Sequence, residues 1–162
     1  MKRIFAITLV AVAMLVASIA PSSAAPHLKA TGDVNLTGGI GDRHAVFNAH
    51  DDAPAAKKTV EDRGDLYFEI TSGPNAGSWF TADLNCVEVA NLDGYFSGVV
   101  TDGSGFYAPF VGGPVFGHVF DGGTPGQNGD TWQATFTPGG PGPCAAPTGG
   151  NPVTGGNLVV HS

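Results

Sequence analysis

Five histidines, fourteen carboxylates and two cysteines are the residues of this chain that could carry chemistry. The histidines are His27, His44, His50, His118 and His161, and none forms a His-Glu-x-x-His or similar ligand cluster. His44 and His50 could share one face of a strand, yet at strand rise they lie about 20 Å apart and cannot chelate one ion. His50-Asp51-Asp52 sets a base beside acids, but neighbours on a strand point to opposite faces, so the run reads as a polar strand end. Gly103-Ser104-Gly105 lacks the flanks of a Gly-x-Ser-x-Gly nucleophile elbow and reads as a loop tripeptide. The acids could supply a glycosidase-like pair in almost any fold, so their number has no specificity. The sequence therefore assigns no catalytic residue, and catalysis would require polar groups that converge only in three dimensions.

Two stretches are candidates for binding. Asp121, Asn128 and Asp130, on a Gly-rich loop, offer hard oxygen ligands of the kind calcium takes; the expectation is no cofactor, with calcium on these three residues as the alternative. Their spacing matches neither the EF-hand nor the nonapeptide calcium repeat, and turn formation explains Asp, Asn and Gly equally well. From Gly103 to Pro114, three aromatics, Phe106, Tyr107 and Phe110, stand among Gly and Pro. Turned outward they would form a stacking platform for a sugar, a peptide or another subunit; turned inward they would plug the open end of a barrel. The inward reading is favoured because large aromatics are more often buried than displayed. Trp79 and Trp132 lie within strand patterns and read as core, and Asn35-Leu36-Thr37 fits a glycosylation sequon.

The start of the chain sets the compartment in which these residues would work. Lys2 and Arg3 precede an apolar run from Ile4 to Ala17, the n-region and h-region of a signal peptide, too short for a membrane span. Ser22-Ser23-Ala24 supplies a cleavage site, which divides the chain into a leader over 1–24 and a single secreted domain over 25–162. Export favours a disulfide, and the one intramolecular pair is Cys86 with Cys144. Of the 7 Lys and Arg, two lie in the leader, so the remainder carries 5 against 14 acids, a net charge of −9. With Lys57-Lys58 as its longest basic run, the mature chain is not built to hold nucleic acid or an anionic membrane.

The elements that must position these residues are strands. Apolar residues recur with period two between Gly, Asn, Asp and Pro punctuation, and no stretch sustains a helical period. The pattern predicts nine strands, near 27–36, 43–50, 64–72, 78–84, 86–91, 95–101, 115–120, 131–137 and 157–161. Leu66, Phe68 and Ile70 form one dry face, and Trp132, Ala134 and Phe136 another. Asp93-Gly94 is expected to make a two-residue hairpin turn, and Gly73 to Gly77 a second turn. Asp52 to Asp62 has no apolar stripe and reads as a loop or single turn. From Pro138 to Gly156, 12 of 19 residues are Gly or Pro, which predicts a loop tied down through Cys144. The fold class is all-β, an antiparallel β-sandwich or small β-barrel of about 8–9 short strands.

Cys86-Val87-Glu88-Val89, the stretch Phe96 to Thr101, Val119-Phe120-Asp121-Gly122-Gly123 and the closing Pro152 to His161 resemble a large group of exported, β-rich bacterial proteins with no assigned activity. The resemblance covers most of the mature chain. It implies one β domain whose last strand, Gly155-Gly156-Asn157-Leu158-Val159-Val160-His161, completes the sheet, and a late cysteine that returns to the Cys86 strand. Relatives carry Asp-Asn-Gly-Glu-Pro-Gly where this chain has Asp121-Gly122-Gly123-Thr124-Pro125-Gly126, so no role of that glutamate transfers. The expectation is a noncatalytic binding or structural module, secreted or at the cell envelope, monomeric, and partnered by an extracellular ligand or envelope component. The alternatives are a secreted hydrolase and a subunit of a surface assembly, which would show a convergent polar pocket and a long open sheet edge respectively.

Overall fold

The computed structural model describes residues 28–52, 62–123, 129–139 and 143–162. The expected leader over 1–24, His27, Lys57-Lys58, Asn128 and most of the stretch from Asp52 to Asp62 lie outside the described residues. Eight described strands form a closed antiparallel barrel in which each pairs with the next and the last pairs with the first. They are β1 (Leu28–Leu36), β2 (Arg43–Asp51), β3 (Arg63–Ile70), β4 (Trp79–Ala90), β5 (Asp93–Gly103), β6 (Pro114–Phe120), β7 (Thr131–Thr135) and β8 (Asn151–His161). Short 3-10 helices cover Gly105–Phe110 and Pro143–Ala145. No helix among the described residues is long and apolar enough to cross a membrane.

The period-two pattern is what closes the barrel. Along β2, Arg43, Ala45, Phe47 and Ala49 are buried, and along β3 Leu66, Phe68 and Ile70, as their alternation requires. All of these but Arg43, with Val34, Leu36, Phe80, Leu84, Phe96, Val100, Val119, Trp132 and Leu158, make one continuous apolar core. Each full burial of such a side chain contributes about 1.5–3 kcal/mol. An eight-stranded barrel is just wide enough for its interior to be filled by side chains or to hold one small ligand.

The structure corrects three expectations. The strands predicted near 78–84 and 86–91 are one, because a register shift between Leu84 and Cys86 breaks the alternation without ending the pairing. The β4–β5 turn is Asn91-Leu92 rather than Asp93-Gly94: Ala90 pairs with Asp93, and Asn91 takes the left-handed conformation at φ 58°. Gly94 is instead a buried strand residue, where a Cβ would stand 2.8 Å from Val119 Cγ2 and 2.9 Å from the Ala30 Cβ. Finally, β8 begins at Asn151, not near Asn157, since Pro152 pairs with Thr131 at the narrow β7–β8 seam and needs no N–H of its own there.

Cys86 and Cys144 are disulfide-bonded, with their Cα atoms 5.7 Å apart. The bond holds the helix at Pro143–Ala145 against β4 and β5. His118 adds a second fastening on the outer wall, its Nδ1 lying 2.7 Å from the Gly149 carbonyl and its Nε2 2.7 Å from the Asp93 carboxylate. The Tyr95 ring stacks on it at 4.6 Å. The connection from β7 to β8 is thereby folded back over the barrel's outside.

Candidate binding site

In an antiparallel meander, alternate connections emerge at the same end. The β1–β2, β3–β4, β5–β6 and β7–β8 connections share one mouth, and there a cavity of about 70 Å³ opens into the interior. Phe68, Phe80, Tyr107, Trp132 and Phe136 supply its aromatic walls, Ile40 and Ala134 further apolar surface, and Arg43 and Asn151 its polar side chains. The residues come from five strands and three connections, so barrel closure is what assembles them.

The aromatic walls interlock. Phe68 stacks on Trp132 at 5.1 Å and 14°, and on Phe80 at 5.4 Å. Tyr107 meets Phe80 edge-on at 5.0 Å and Phe68 at 5.7 Å. The helix at Gly105–Phe110 delivers Tyr107, and Ser78 fixes that helix by accepting the Phe106 N–H at 3.0 Å. Burial pushes the Tyr107 phenol up to about 12, while the Arg43 charge pulls against it.

Arg43 opens β2 on the same parity as Ala45 and Phe47, so it points inward and is only 8% exposed. Its Nε and Nη2 are buried without a hydrogen-bond partner, and so is the Nε1 of Trp132. The cavity thus combines apolar walls with a positive charge and unsatisfied donors, an arrangement suited to holding an acceptor-bearing ligand.

The sequence-predicted aromatic loop is divided by the structure. Tyr107 is buried and belongs to the plug rather than an outward platform; Phe110 is half-buried and stacks on Phe136 at 4.1 Å; Phe106 is 51% exposed. Asp121 and Asp130 are buried at the opposite end of the barrel. Asp121 accepts the Val160 N–H at 2.9 Å and the Gly123 N–H at 2.7 Å, and Asp130 accepts the Gly122 N–H at 2.8 Å. Among the described residues no group of three or more His, Cys, Asp or Glu is placed to hold a metal ion. His44 pairs with Asp33 at 2.8 Å on the barrel's outer surface.

Arg43 was not singled out by sequence reasoning. Its signal was a charged residue on the apolar parity of an otherwise alternating strand, Arg43-x-Ala45-x-Phe47-x-Ala49. No family model, curated protein or solved structure matches this chain.

Proposed function

We propose that this protein is an exported, noncatalytic binding module, and that the barrel mouth is where it holds a small ligand. The observation that carries the reading is the buried, unpartnered Arg43 guanidinium set into aromatic walls. A group of this kind, left without a partner, opposes folding, so its retention in an otherwise well-packed barrel fits a binding role. The disulfide fits an oxidising compartment, and the leader sequence supplies the route to it. The exported β-rich group that the sequence resembles is the proposed kinship, and the protein acts as a monomer at the envelope or outside the cell.

A small-molecule screen on the purified mature chain tests the binding role. Ligands that raise the melting midpoint should lose that effect when the mouth is filled by Ala134→Trp, which a circular dichroism spectrum must show to be folded. Hits that all persist in the filled variant would overturn the placement of the site. The mass of the chain recovered from the medium of an expressing bacterial host tests export: loss of residues 1–24 is expected, and retention in the cytoplasm at full length would overturn it.

A further inference from the structure

We infer that the ligand held at the barrel mouth is a small organic monocarboxylate, its carboxylate on Arg43 and its apolar body against Phe68, Trp132 and Phe136. The inference rests on the reading of the barrel as a binding module and names the class of ligand. Three buried nitrogens, Arg43 Nε, Arg43 Nη2 and Trp132 Nε1, are donors with no acceptor. At the mouth the deficit is one-sided, the one buried acceptor without a partner, Asp62 Oδ1, belonging to the other end, so a ligand held there must bring acceptors rather than donors. A carboxylate presents two oxygens in a plane that matches the guanidinium fork, and it cancels the buried charge at the same time.

The described residues supply no counter-ion to Arg43. Tyr107, which lines the same cavity, has its phenol pushed up to about 12 by burial and is neutral at ordinary pH. Among the described residues Arg43 is also the single cation lining the cavity. One positive charge balances a monoanion, whereas a phosphate dianion would leave excess negative charge among aromatic walls. The seat for the guanidinium is shaped as well: a Cβ on Gly38 would stand 2.5 Å from Arg43 Nη2, so the β1–β2 connection leaves that space free.

Calorimetry on the disulfide-intact chain, with phenylacetate, propanoate and their neutral amides as probes, tests the inference. Phenylacetate should bind at least tenfold more tightly than phenylacetamide, and propanoate more weakly than phenylacetate because it covers less of the aromatic wall. Arg43→Met should remove the preference for carboxylate while leaving the melting midpoint unchanged or raised, since an uncompensated buried charge has gone. Arg43→Lys should keep a reduced preference, and Trp132→Phe should weaken phenylacetate severalfold. Equal binding of acid and amide would overturn the ligand class and leave the binding-module reading standing. Failure of all four probes, together with failure of neutral indole, would sink both. A large fall in the Arg43→Met midpoint would overturn the inference by making the guanidinium a structural member.

Discussion

The two ends of the barrel differ in the buried polar groups they leave open, a single carboxylate oxygen of Asp62 at one and three donor nitrogens at the other. At the end holding the β2–β3, β4–β5 and β6–β7 connections, carboxylates are turned onto the chain's own amides: Asp121 onto Val160 and Gly123, Asp130 onto Gly122, Asp51 onto Val89 and Asp62 through Oδ2 onto Val87, with Asp62 Oδ1 alone left buried and unpartnered among them. Hydrogen bonds to ionised acceptors are among the stronger ones, and here they close the barrel. At the mouth, Arg43 and Trp132 present donors that nothing in the described chain accepts. Polar groups satisfied from within belong to the scaffold. Those left open over aromatic surface are available to something from outside, which is why the mouth, and not the cluster of acids, is the candidate site.

The largest effect should come from cutting the fastening between the mouth and the wall. Replacing both Cys86 and Cys144 by Ala should cost about 3–4 kcal/mol of unfolding free energy in urea, the magnitude expected from closing so long a loop. The β7–β8 seam rests on two register pairs, Thr131 with Pro152 and Trp132 with Asn151, so hydrogen exchange should accelerate there before it does in β2 and β3. Uniform acceleration across all strands would deny the mouth its separate character. At the closed end, Asp121→Ala should cost about 3 kcal/mol, because the Val160 and Gly123 amides lose their acceptor together. A loss below about 0.5 kcal/mol would remove the contrast between the ends.

The strands were legible because each half-buried strand writes its inward face into every second residue. Leu66, Phe68 and Ile70 are buried as their alternation requires. What failed was local and has local causes. The shift between Leu84 and Cys86 changes parity within a continuous strand, which a period-two reading takes for a break. Gly94 looked like a turn residue but serves interior volume, a demand visible only once Val119 and Ala30 are in place. The site was less legible than the fold. Arg43, Tyr107, Trp132 and Asn151 are far apart in sequence and meet only through closure, and an unpaired arginine on an apolar face resembles a polar strand end until burial is known.

Alkaline titration reads the mouth separately. The Tyr107 phenol is raised from 10.0 to about 12 in the folded chain, so between these values the unfolded chain releases a proton that the folded chain keeps. Its contribution is therefore full below pH 10 and is lost as pH climbs toward 12. Tyr107→Phe should flatten this part of the stability curve relative to the parent, measured by urea midpoints at intervals of pH. An unchanged slope would mean that the phenol is as well solvated as a surface tyrosine and that the mouth is wetter than its walls imply.

The smallest effect is expected at Phe106, and it separates the plug from a displayed platform. Phe106 is 51% exposed and touches the cluster edge-on at Tyr107, at 5.1 Å, whereas Phe110 lies flat on Phe136 at 4.1 Å. Phe106→Ala should change stability by less than about 0.5 kcal/mol and phenylacetate affinity by less than about twofold, while Phe110→Ala should cost about 1–2 kcal/mol. The order matters more than the sizes. If Phe106→Ala abolished binding while Phe110→Ala did not, the ligand would sit on the outside of the helix at Gly105–Phe110, and the open donors of Arg43 would have to answer to something other than ligand capture.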